Sequence, residues 1–146
     1  MLEYITNQFP RDCALVSAVN ARTFLRKQIN WDCLPEEMFF EEYKALATLA
    51  CCHKGDTAIH VERLYPYLGI DYHKHDYNKS WIIKNLPVEI CLEIGYQHFV
   101  LITRANKDEV ELINFDPSNK IKTLSWIELE KFRNSNKLKS FFLLIK

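Results

Sequence analysis

The chain has 146 residues, of which 48% are apolar and 26% charged, the balance of an ordinary globular domain and not of a disordered one. Nineteen basic residues cancel nineteen acidic ones, which argues against nucleic acid as a partner, because a nucleic-acid binder normally carries a basic excess. No apolar run approaches the roughly 18 residues of a membrane span. The start, Met1 to Gln8, has neither the basic nor the apolar region of a secretory signal. A single domain over residues 1–146, located in the cytoplasm, is the expectation. Cysteines stand at 13, 33, 51, 52 and 91 without a Cys-x-x-Cys pair, so reduced thiols are expected. Cys51, Cys52, His53 and His60, or His73 with His75, make a poor zinc set, since adjacent cysteines are poor co-ligands. No metal and no organic cofactor is expected.

The first half reads as helices. Leu15, Val16, Ala18, Val19, Phe24 and Leu25 recur at helical spacing behind Asp12, a suitable N-cap, and predict a helix over about 13–27. A second helix is expected from Pro35 to about Cys51. A third is expected from Asp56 or Thr57, with Val61, Leu64 and Leu68 on one face and Gly69 as its stop. Residues 71–77 read as an exposed strand and loop, and 80–86 as a short helical turn. Strands follow at 87–94, 99–103, 110–115 and 121–124, with turns at 106–108 and 116–119 between them. Ser125 and Glu128 form a capping box for a helix ending near Phe132. Phe141–Ile145 reads as a buried closing strand. Helices first and an antiparallel meander afterwards make an α+β domain.

Four residues stand out. Cys13 lies at the expected start of the first helix, where free N–H groups and the helix dipole favour a thiolate. Gln8, five residues upstream, is placed to donate to an oxyanion together with the Cys13 N–H. His98 opens an apolar strand, and Asp116 ends the next one. If those strands pair as a hairpin, His98 and Asp116 come side by side, and the carboxylate can orient the imidazole. Cys, His and Asp in that order are the layout of a cysteine hydrolase.

The segment Gln8-Phe9-Pro10-Arg11-Asp12-Cys13 resembles the Gln-x-x-x-Asp-Cys opening of the C39-like peptidases, a papain-like family that includes the proteolytic domains of bacteriocin exporters. The resemblance continues through Lys54-Gly55-Asp56-Thr57, Leu86-Pro87-Val88, His98-Phe99-Val100-Leu101-Ile102, Phe115-Asp116-Pro117 and the stretch from Lys122 to Glu130. It implies a papain-like fold with helices packed on an antiparallel sheet. It further implies Cys13 as nucleophile, His98 as base and acid, Asp116 as its orienter and Gln8 in the oxyanion hole. Ala14 replaces the family's glycine after the cysteine, and Gly95-Tyr96-Gln97 precedes the histidine in place of an adjacent glycine.

The expected function is therefore a cysteine peptidase acting on a peptide or protein through a thioester acyl-enzyme. The alternatives are glutamine deamidation, transglutamination or acyl transfer by the same chemistry, and a catalytically silent peptide-binding module.

Overall fold

The structure, a computed structural model, describes residues 4–7, 12–28, 41, 44–48, 65–95, 97–116, 118–132 and 140–145. In chain order the elements are α1 (Cys13–Gln28), a 3-10 turn (Pro66–Leu68), β1 (Ile70–His75), α2 (Lys79–Lys84), β2 (Val88–Glu93), β3 (Gln97–Ala105), β4 (Glu109–Asp116), β5 (Asn119–Ser125), α3 (Trp126–Phe132) and β6 (Ser140–Ile145). The expected second helix is seen as helical residues 44–48, and its beginning lies outside the described residues. Residues 57–64 of the expected third helix also lie outside them. What is described there is the 3-10 turn, ended by Gly69 at φ 70, whose N–H bonds the Pro66 carbonyl. That left-handed conformation is the one glycine adopts without a Cβ penalty.

The six strands among the described residues join one antiparallel sheet in the order β1-β6-β2-β3-β4-β5. The closing strand β6 pairs with both β1 and β2, so the last segment of the chain sits inside the sheet. One core cluster joins Leu15, Val16, Ala18 and Val19 of α1 to Cys91, Phe99, Leu101 and Ile113 of the sheet. A second joins Ile90, Leu92, Val100, Ile102 and Leu112 to Ile82, Trp126 and Leu129 of α2 and α3. Alternating residues of β2 and β3 thus enter different cores, as the two-residue period of a strand requires. Every residue of β2 from Val88 to Leu92 is buried. α1 is likewise buried from Ala14 to Thr23, the mark of a helix enclosed by the domain.

The turns and caps follow local chemistry. Ser125 N–H donates to Glu128 Oε1 at 3.0 Å, and Glu128 N–H to Ser125 Oγ at 3.1 Å, closing the expected capping box. Asn78 caps α2 through Trp81 N–H at 2.9 Å. Asn106 Oδ1 accepts from Asp108 and Glu109 N–H, which closes the β3–β4 turn.

A bulge interrupts the β4–β5 ladder between Ile113 and Asp116, where Asn114 has φ 65. Ile113 packs under α1, yet Phe115, two residues on, packs with the second cluster. Uninterrupted alternation would have kept both on one side. The extra residue reverses the sense of the strand end, as bulges do.

Candidate active site

Cys13 is the first residue of α1. The Asp12 carbonyl accepts the Val16 N–H at 2.8 Å, so Asp12 occupies the N-cap position expected of it. The Cys13 side chain is half-buried, and its Sγ accepts the Phe99 N–H at 3.4 Å. The nucleophile candidate therefore lies against the peptide unit that follows His98. Burial pushes the Cys13 thiol up. The Phe99 and Ala14 N–H groups work in the opposite sense, and the Glu89 and Asp12 carboxyls add to the upward push. The helix-start amide of Ala14 acts in the expected direction, but loss of water outweighs it, which disfavours the thiolate. Cys91, buried beneath, is pushed up to about 12, first by burial, and is inert by comparison.

His98 is buried, at 4% exposure. Its cross-strand partner Leu92 belongs to the second cluster, whereas Phe99 packs under α1. The ring's Nε2 is 2.6 Å from the Asn114 carbonyl oxygen. A carbonyl only accepts, so this bond assigns the hydrogen to Nε2 and leaves Nδ1 as the basic nitrogen. Burial lowers the imidazole's pKa; the Asn114 and Phe115 backbones and the Asp116 charge oppose that. A raised thiol and a lowered imidazole each favour the neutral form.

Asp116 ends β4 and is partly exposed. Its Oδ1 accepts from Ser118 N–H at 2.8 Å, Asn119 N–H at 2.7 Å and Asn119 Nδ2 at 2.9 Å. Its Oδ2 accepts from the same Nδ2 at 2.9 Å. The Asn119 side chain, then the turn amides and Lys122, hold the carboxyl below its usual range. Asp116 thus closes its own turn and reaches His98 as a charge, while the described hydrogen bond to the ring comes from Asn114.

Gln8 lies outside the described residues. The segment leading to it is tied down on both sides. Asn20 of α1 accepts the Ile5 N–H and donates to the Ile5 carbonyl, each at 2.9 Å. Asn114 Nδ2 donates to Asn7 Oδ1 at 2.8 Å. Sequence reasoning passed over Asn20 and Asn114. The available signal for Asn114 was an amide inside the apolar run of 110–115, a residue type depleted in strands and tolerant of positive φ. It also passed over Glu89, which is fully buried on β2 with Oε1 accepting from the Tyr65 hydroxyl at 3.0 Å.

The other candidates separate. Cys33, Cys51, Cys52, His53, His60 and Trp31 lie outside the described residues. His73 is exposed on β1, and the His75 ring stacks on Trp81 at 4.3 Å. Trp126 is buried and donates to the Asn106 carbonyl at 2.6 Å. No helix among the described residues is long and apolar enough to cross a membrane.

No protein-family model matches the sequence, and no curated protein does. Solved structures do match over nearly the whole chain. A double-glycine-motif protease from an AMS/PCAT transporter, crystallised with a leader peptide, aligns with a TM-score of 0.71 at 13% identity, covering 99% of this chain and 91% of that one. The peptidase domain of a Streptococcus ComA, a bifunctional ABC transporter of a quorum-sensing pathway, gives 0.68 at 15% identity, with 99% and 100% covered. The peptidase domain of Streptococcus mutans ComA gives 0.63 at 14%, with 97% and 98% covered. The chain thus has the α+β fold of the double-glycine peptidase domains, as its resemblance to the C39-like peptidases implied.

Proposed function

We propose that the chain is a cysteine peptidase-like hydrolase whose substrate is a peptide. The observation that carries this reading is the placement of Cys13. It opens a buried helix, with Sγ on the peptide unit joining His98 to Phe99, in a fold shared with protease domains. Cys13 is the nucleophile and His98 the base. Nδ1 of His98 takes the thiol proton while Sγ bonds to the substrate carbonyl carbon. The developing oxyanion is held by the Cys13 N–H and Gln8. His98 then returns the proton to the departing amine, leaving a thioester. Water adds to the thioester, His98 accepts its proton and passes it to Sγ, and the acid product leaves. The negative charge of Asp116 stabilises the imidazolium formed at each step.

A neutral pair moves its proton during attack, so the reading requires His98 Nδ1 to come within hydrogen-bond reach of Sγ when substrate binds; such contacts commonly tighten only then. The double-glycine-motif protease solved with a leader peptide suggests the first substrate to try: a peptide carrying a double-glycine motif. The test is incubation of that peptide with the wild type and with Cys13→Ala, followed by mass spectrometry. Cleavage by the wild type alone supports the proposal. Ammonia release from a glutamine peptide without new amine termini would replace hydrolysis by deamidation. Neither product, with Cys13 no more reactive than Cys91, would remove the enzymatic reading.

A further inference from the structure

We infer that Asn114 is a positioning residue that sets the tautomer of His98 through its main-chain carbonyl and is itself held in place by its side-chain bond to Asn7. The inference rests on the proposal that His98 is the base. An imidazole serves as a base toward Cys13 through Nδ1 only if Nε2 carries the hydrogen, and the acceptor that enforces this choice has to be rigid. The Asn114 carbonyl, 2.6 Å from Nε2, is such an acceptor. It is aimed there by a backbone at φ 65 near the end of β4, which an L-residue rarely adopts and asparagine tolerates better than most. The register shift between Ile113 and Asp116 shows that this residue interrupts the ladder. The Asn114 side chain holds the bulge. Asn114 is 2% exposed, and its amide donates to Asn7 Oδ1 at 2.8 Å across 107 residues of sequence. Asn7 is the neighbour of Gln8, so one amide links the base to the segment proposed for the oxyanion hole. Asp116, by contrast, has both oxygens engaged by Ser118 and Asn119.

The readout is the nitrogen-15 spectrum of histidine-labelled protein, in which protonated and bare ring nitrogens differ and the His98 signals are assigned by their loss in His98→Gln. The wild type is expected to show Nε2 protonated and Nδ1 bare at neutral pH. Asn114→Gly keeps a backbone that reaches positive φ but removes the anchor. Asn7→Ala removes the same bond from an exposed position and leaves Asn114 intact. Both are expected to lose the single signature and show a mixture of tautomers, whereas Asp116→Asn keeps it. A purely structural role for Asn114 would not move the tautomer of a folded protein, and folding is checked by circular dichroism on the same samples. A wild-type ring protonated at Nδ1, or an unchanged signature in both amide variants, would overturn the inference; so would a mixture in Asp116→Asn alone. These outcomes are independent of catalysis. Failure of Cys13 to cleave peptide would remove the proposed function and leave the tautomer assignment to stand or fall on its own spectrum.

Discussion

Replacing Glu89 by glutamine should make the protein more stable, by an amount that grows with pH. Glu89 is fully buried, with Oε1 bonded to the Tyr65 hydroxyl and Oε2 without a hydrogen-bond partner among the described residues. Burial raises its carboxyl well above the ordinary range, and the Tyr65 bond offsets this only in part. In the unfolded chain the group ionises near pH ~4.3. The folded state therefore keeps a proton that the unfolded state has released. Its contribution to stability is fully present below that pH and is lost as pH rises toward the folded value. Within this window the loss is about 1.4 kcal/mol per pH unit. Glutamine has the shape of the protonated acid, keeps an acceptor for Tyr65 and never ionises. Wild type and Glu89→Gln should then have similar stability at about pH 4, with the variant ahead by about 1.4 kcal/mol more at each higher unit until the folded Glu89 titrates. Urea unfolding followed by tryptophan fluorescence, at several pH values and with m compared between the proteins, measures the difference. Subtracting one curve from the other cancels the titrations the two proteins share. A pH-independent difference, or a wild type that gains on the variant as pH rises, would show that Glu89 is ionised in the fold and refute the argument.

Because the buried thiol is raised, alkylation of Cys13 in the substrate-free protein should have its midpoint above the ~8.5 of an ordinary thiol, and mass mapping against pH checks this. In the proposed mechanism the base form of His98 carries hydrolysis; its pKa is lowered, so the acid limb of the pH–rate profile should lie below ~6.5. Asp116→Asn removes a charge that raises that pKa, so the limb should move further down; an upward move would contradict the assigned sense of the field. Leu15→Ala removes a fully buried α1 side chain and should cost about 2–5 kcal/mol in urea unfolding. Ile127→Ser, on a side chain that is 74% exposed, should stay within about 0.5 kcal/mol.

Local chemistry made much of this protein legible from its sequence. The Ser125–Glu128 capping box, the stop at Gly69 and the start of α1 behind Asp12 each depend on residues within a few positions of one another. Their hydrogen bonds close whatever the rest of the chain does. The strand segments were legible for the same reason, as were the places of Cys13 at a helix start and His98 near a strand end, which are local features. Tertiary structure decided the rest. Whether a helix start favours a thiolate depends on water, and the sheet that packs on α1 removes it, which pushes the Cys13 thiol up. Nothing next to Glu89 in the sequence marks it as buried, but cores on both faces of β2 leave it no outward side. The partner of His98 reads as Asp116, since a carboxylate is the obvious orienting group. The described bond comes instead from a carbonyl, turned by a bulge whose anchor lies 107 residues away at Asn7. Backbone preferences act over a few residues and are written in the sequence; burial and the aim of a main-chain acceptor are set by contacts between distant segments, and only the assembled fold has them.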